Sequence, residues 1–465
     1  MRKSKATLFI MSSLLLFGCQ AGDLAQTPKG EEHDPIETLN SVNQCRISPD
    51  VSVLDSEDAA KVAMNFTFGQ TTTKASGEEV RSVIPIYGNS GEVVLYAVNL
   101  NDGYVLVSSS KDSYPVFGYS EHGEFDGKET ETGMDVLMSE YKSVREQPSS
   151  TQDCRESWRR YEWISPVGTT QTRSDISSDY SEIIESYLEE WYEEGYSVHY
   201  LYDKPESMPD DLYESFCQDA ETEMGDMPGF PYMECAIITC RKNSSRVNVI
   251  PPMISTKWEQ REPYNSSDPE KRALGCTTIA AGQIMRYHKF PSAYPDLKRA
   301  IEWDLMPNTT SNNTLSDFLF ELRTKIGVND NGGAYIYDVE RAMRSYGYSC
   351  NIKPHNAKGV RKELECGTPV YMRGEQDSGA HAWVCDGCFA YLYSDEYNLY
   401  VVGYENGRPA KMTLNTQELI YEEAREYFHM NWGWGGQHDG HFLDNAIYMP
   451  GHDYKEKRMD IYVNK

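Results

Sequence analysis

Basic residues are scarce in this chain. Lys and Arg number 44 against 72 Asp and Glu, a net charge of −28. A field of that sign repels phosphate backbones and argues against nucleic acid as a partner. Glycine (34) and proline (22) are at ordinary levels for 465 residues, so collagen-like and Pro-rich architectures are excluded. Beyond residue 20 no run approaches the ~18 apolar residues of a spanning helix. Cysteine is limited to 11. With Cys19 and one nucleophilic thiol set aside, an odd number remains, so complete pairing within one chain is impossible. Cys235/Cys240 and Cys385/Cys388 could be disulfides or half of a zinc site. Neither has a second pair at finger spacing, and free thiols acting as small hydrophobes are the better reading. What is present is enough apolar and aromatic residue (39% and 12%, with 33 Tyr) for packed cores, in a length that suits about three domains.

The N-terminus reads as an export signal. Arg2, Lys3 and Lys5 precede a short apolar stretch, Ala6 to Gly18, that closes on Leu16-Phe17-Gly18-Cys19. This end looks like a bacterial lipobox, which implies cleavage before Cys19 and acylation of its thiol. The alternative is an ordinary secretory signal with a chance cysteine. The resulting expectation is a cell-envelope lipoprotein, at the outer membrane or secreted after processing, that touches the membrane only through its anchor.

The chain divides into residues 1–19 as signal, 20–47 as polar tether, 48–127 as a small α+β unit, 128–246 as an acidic connector, and 247–465, where the distinctive motifs lie. In the first unit, Asp55 is placed to cap a helix over Ala59–Phe66. Strand-like runs follow at Val80–Tyr87, Val93–Leu100, Tyr104–Ser108 and Pro115–Tyr119. The Asn101-Asp102-Gly103 turn marks a hairpin. In the connector, residues 174–226 carry 17 Asp or Glu and one base, Lys204. Within it, Asp179 and Glu182 form a capping box for a helix with Ile184, Tyr187, Leu188 and Trp191 on one face.

Three blocks carry chemistry. Cys276 is followed at helical spacing by Ile279, Ala280, Gln283, Ile284 and Tyr287, and Pro291 ends the stretch. Cys276 is thus expected at the N-terminus of a core helix, where free N–H groups and the helix dipole favour a thiolate. His381, Trp383 and Cys385 alternate with Ala382, Val384 and Asp386 as on a strand, which can present His381 to a cleft. Asn431-Trp432-Gly433-Trp434-Gly435-Gly436 supplies a side-chain acceptor for an imidazole N–H, with Trp432 shielding that bond. Taken singly, each block has a duller reading: a structural cysteine, a core histidine, a Gly-rich turn with core tryptophans.

Cys, His and Asn in that order form the papain-type arrangement. Leu274-Gly275-Cys276, Gln283 to His288, Gly379-Ala380-His381-Ala382 and Asn431 to Gly436 together resemble the streptopain family of papain-like bacterial cysteine peptidases. The resemblance covers about 247–465. It implies an α+β papain-like domain, helical part plus antiparallel sheet, with Cys276 as nucleophile and His381 as base. Thr256 to Asn265 is similar to the family segment that carries the oxyanion-hole glutamine, which implies Gln260 as that donor. More loosely, 51–125 is similar to the family's inhibitory prodomain through Leu95–Asn99 and Gly103–Ser108.

The family therefore implies a zymogen that hydrolyses peptide bonds of proteins through a Cys–His acyl-enzyme, without metal or organic cofactor, and with its own prodomain as intramolecular inhibitor. Activation is expected between Gln171 and Arg246, at Lys242–Arg246 by preference. Two features depart from the pattern: the acidic connector, and a Tyr-rich insert of about 40 residues, 388–428, between the His and Asn blocks. Two alternatives are a cell-wall peptidase or amidase on the same core, and a catalytically dead surface binding lipoprotein.

Overall fold

The computed structural model describes residues 46–66 (49 excepted), 80–126 (89–90 excepted), short stretches between 157 and 226, 233–443 (297–298 and 377–378 excepted) and 458–465. Cys19, the signal and most of the tether lie outside the described residues, as does the predicted capping box at Asp179 and Glu182.

In the N-terminal unit, helix α1 spans Ser56–Asn65 and is capped by Asp55, whose Oδ1 accepts from the N–H of Glu57 and of Asp58 at 2.8 and 2.9 Å. Four antiparallel strands follow in meander order: β1 Ser82–Tyr87, β2 Val93–Asn99, β3 Tyr104–Ser108 and β4 Val116–Ser120. Strands β2 to β4 are nearly all buried because α1 covers one face, its Ala59, Val62 and Ala63 packing into the same core.

The C-terminal part has a helical layer and a sheet. Helix α3, Cys276–His288, is buried from Thr277 to Met285. Around it pack α4 Asn313–Ile326 and α5 Ile336–Ser345, sharing Leu315, Phe318, Leu322, Val339 and Met343 with Ile279 and Ile284. A third helix, α6 Ala357–Glu365, lies between the strands β7 Ser349–Pro354 and β8 Val370–Gln376. The sheet's centre is one long hairpin, β9 Gly379–Glu405 and β10 Arg408–Asn431, paired antiparallel from Glu405–Arg408 to Val384–Asn431. It is flanked by β11 Gly440–Leu443 on the β10 side and by β8 on the β9 side, and β12 Met459–Asn464 lies beyond, between β8 and β7. The insert at 388–428 is the outer part of this hairpin, and none of its described residues lines the cleft described below.

Strand β11 joins the two parts into one sheet. Its far edge pairs with β4, Gly440 with Ser120, His441 with Tyr119 and Phe442 with Gly118. The strand order is β1-β2-β3-β4-β11-β10-β9-β8-β12-β7. At this seam an added Cβ on Gly440 would lie 2.2 Å from the Tyr119 carbonyl oxygen, so the close approach requires glycine.

The described part of the connector is not the accessible chain its polarity suggested. Helix α2 runs over Asp210–Asp226, and β5 Tyr196–Tyr200 pairs with an 18-residue strand, β6 Met233–Ile250. Lys242–Arg246, expected as the exposed junction, sits inside β6. The segment's charge conceals its pattern: Ala236, Ile237, Ile238 and Cys240 are buried, while Lys242 reaches Asp395 at 2.8 Å. Trp191, predicted on the apolar face of the acidic helix, is buried against Tyr187 and Tyr400.

Candidate active site

A cleft of about 1060 Å³ lies between the helical layer and the sheet. Gln260, Cys276 and His381 all line it, with Arg373, Tyr335 and Trp434. Cys276 is the first residue of α3. The chain enters the helix through Gly275 at φ +85°, where a Cβ would meet the Gly332 carbonyl oxygen at 2.5 Å. Only glycine turns the thiol into the cleft there. His381 comes from β9, beside Arg373 and Gly374 of β8. The sequence thus foresaw correctly that a helix terminus and a strand would face one another here.

The His381 ring is held on two sides. Nε2 lies 3.1 Å from the Trp432 carbonyl oxygen, and the ring packs on Trp434 at 4.9 Å between centroids. A carbonyl only accepts, so Nε2 carries the proton and donates it. In the neutral ring, Nδ1 is then the basic nitrogen. Burial pushes His381 down to about 4, against the opposing pull of the Trp432 carbonyl. Burial likewise pushes the Cys276 thiol up, opposed by N–H groups at Ala382 and Thr277 and by the Arg373 charge. Burial thus favours the uncharged form of each group, and no hydrogen bond joins the two side chains among the described residues.

No hydrogen bond joins Asn431 to His381 among the described residues. Its Oδ1 accepts from Gln283 Nε2 at 3.0 Å and from the Gly433 N–H at 3.2 Å. Its Nδ2 donates to the Thr256 carbonyl at 2.9 Å. Gln283 Oε1 in turn accepts from Thr256 Oγ1 at 2.9 Å. The Gly433 N–H and the Trp432 carbonyl belong to one peptide plane. Asn431 therefore grips the back of the peptide whose front accepts from His381. Trp432 contributes that carbonyl as well as a buried indole, whose Nε1 donates to the His438 carbonyl at 2.9 Å.

Some residues of this arrangement went unnoticed in the sequence. Gln283 was read as one position of a helical stripe and of a family-like block, with no role in the site. Asp439 is buried, is pushed up to about 6 by that burial and accepts the Trp432 N–H at 3.0 Å. Arg373 lines the cleft and pairs with Glu375. No local pattern marked either of the latter two. Gln260 is tied by its own carbonyl, which accepts from the Leu274 N–H at 2.8 Å, and no side-chain bond holds its amide among the described residues.

Residues 258–442 match the Peptidase C10 family, and residues 51–144 match the Spi protease inhibitor family. Among curated proteins, this chain is 26% identical over 233 residues to the thiol protease/hemagglutinin PrtT of Porphyromonas gingivalis, covering 41% of this chain and 23% of that one. It is 23% identical over 247 residues to streptopain of Streptococcus pyogenes, covering 41% of this chain and 54% of that one. The chain thus spans about half of streptopain and about a quarter of PrtT. Among solved structures, a prointerpain A fragment from Prevotella intermedia aligns with a TM-score of 0.43 at 14% identity, over 83% of this chain and 98% of that one.

Proposed function

We propose that this protein is a cysteine endopeptidase made as a zymogen, with Cys276 as nucleophile and His381 as general base. The observation that carries the reading is the shared cleft: a thiol at a helix N-terminus faces a histidine whose Nε2 is fixed to a carbonyl, which leaves Nδ1 as the base. In the active state Nδ1 takes the Cys276 proton and the thiolate attacks a peptide carbonyl. Gln260 and the Cys276 N–H stabilise the oxyanion. The imidazolium protonates the leaving amine and then activates water to release the acyl group. Cys276→Ala should abolish hydrolysis of a protein such as casein, and an active-site thiol probe should label the parent and not the variant. Full activity in Cys276→Ala would refute the assignment.

The N-terminal unit is the inhibitor in this reading, and β4 indicates how it acts. Among the described residues, none from 46–126 lines the cleft. Strand β4 instead clamps β11, and Ser120 Oγ donates to the Asp439 carbonyl at 2.6 Å. The Tyr104 ring lies 5.8 Å from His438. All of these contacts fall on the 438–442 stretch that follows Trp432 and Trp434, the residues packed against His381. Inhibition then works through the support of His381. Anchoring through an acylated Cys19 in the cell envelope completes the reading; Cys19→Ala should move the protein from the membrane to the soluble fraction.

A further inference from the structure

The connector and the insert, the two stretches that depart from the family pattern, form one module. Strand β6 pairs with β9 from Met233–Gly403 to Ile250–Cys388. Strand β8 covers the same edge of β9 only as far as Cys385. Strand β6 takes over where β8 runs out, so β9 has a partner along its whole outer edge.

The side chains repeat this fit with period two. Tyr397 and Leu399 pack with Phe216 and Ala220 of α2 and with Ile238 of β6. Tyr400, Val402 and Tyr404 turn the other way, onto Trp191, Tyr196 and Ile237. That two-sided packing accounts for Tyr397, Tyr400 and Tyr404 of the insert. Polar contacts fix the register. Arg241 pairs with Glu396 at 2.7 Å and Lys242 with Asp395 at 2.8 Å, while the Tyr196 hydroxyl donates to Glu396 at 2.7 Å.

We propose that the edge of β9 from 388 to 403 is an interaction surface whose partner is the chain's own segment 196–250. This segment remains bound to the peptidase domain after activation, even when a cut falls within it. The proposal rests on the zymogen reading only for the word activation. Physically, a chain engaged in a sheet ladder is not presented in the unpaired, extended form a peptidase needs. Stripping β6 would also expose a long aromatic edge, a template for aggregation.

The test uses the full chain with Cys276→Ala, which removes self-processing, and trypsin as an external probe. The sites after Arg241, Lys242 and Arg246 should be cut at least about tenfold more slowly than in the urea-unfolded chain, as expected of a structured segment that must open first. Any fragment that contains 196–241 should co-elute with 276–465 on native size exclusion and separate in denaturant. Glu396→Gln together with Asp395→Asn should speed those cuts severalfold. In parallel, intact-mass analysis of the processed parent enzyme should find 196–250 in the native species. Prompt cutting at these sites, or a native active species that lacks 196–250, would overturn the proposal. A parent with no peptidase activity would sink the zymogen reading and leave the trypsin result to decide this one.

Discussion

Asn431→Ala separates two accounts of the same residue. In the arrangement described, Asn431 acts through the Trp432–Gly433 peptide. Removing its amide leaves Gln283 Nε2, the Gly433 N–H and the Thr256 carbonyl without their partner, all in buried surroundings. Each such group costs about 1–3 kcal/mol when nothing replaces the bond, and admission of a water lowers the sum to roughly 2–4 kcal/mol. For a domain of about 200 residues, that corresponds to a fall in Tm of roughly 5–15 °C. The freed peptide also lets the Trp432 carbonyl drift, and a displacement near 1 Å at such a support can cost about 10²-fold in kcat.

If Asn431 instead met the imidazole directly during turnover, kcat would fall with little change in Tm. The decisive companion is Gln283→Met. Gln283 does not line the cleft and is remote from the chemistry, yet it holds Asn431. It should lower kcat with KM nearly unchanged, and the double variant should lose much less than the two single losses combined. Scanning calorimetry of the inactive background and steady-state kinetics of the processed enzyme supply both readings. An unchanged Tm for Asn431→Ala, or additive and independent effects of the two substitutions, would refute the reasoning.

Other outcomes follow from the same geometry. Gln260→Ala should lower kcat by roughly 10²–10³ as the loss of one oxyanion donor, with the thiol-probe signal retained; steady-state kinetics on a peptide substrate checks this. Gly275→Ala forces a Cβ to 2.5 Å from the Gly332 carbonyl at positive φ, and the shifted Cys276 should lose most of its alkylation rate, read with iodoacetamide. Gly440→Ala pushes against the Tyr119 carbonyl at the β4–β11 seam. With about 1–2 kcal/mol of seam strain, the full-length chain should label about 5–30-fold faster at Cys276, and equal labelling would remove the seam from the account of latency. Finally, His381 is held down at about 4 in the described state, below its ordinary value. The described state therefore gains nothing from acid while an open state takes up a proton. Its stability is complete above about pH 6.5 and drains as pH falls toward 4. Tm of the Cys276→Ala chain should fall over that window more steeply than Tm of Cys276→Ala with His381→Gln; the comparison cancels Asp439, which is pushed up to about 6 and acts in the opposite sense.

The legible parts were those whose signals are local. The helical stripe after Cys276, the alternation around His381 and the Asp102-Gly103 hairpin are each written in one short window, because a helix face or a strand pair is decided by spacing. The peptide that supports His381 was not legible, since a backbone carbonyl has no residue type. Asn431 was the visible group, and it proved to lie behind that peptide. The connector failed for a different reason. Its acids marked it as solvated, and charge does face solvent on α2, but the strand that decides its placement is amphipathic only with respect to a partner about 150 residues away. Glu396 and Asp395 look like surplus acid until Arg241 and Lys242 are set against them. Long-range pairing of this kind gives each strand half of its pattern. A departure from a family in two places is then better read as one event: an extended hairpin creates an edge, the connector supplies the strand that covers it, and neither is stable exposed without the other.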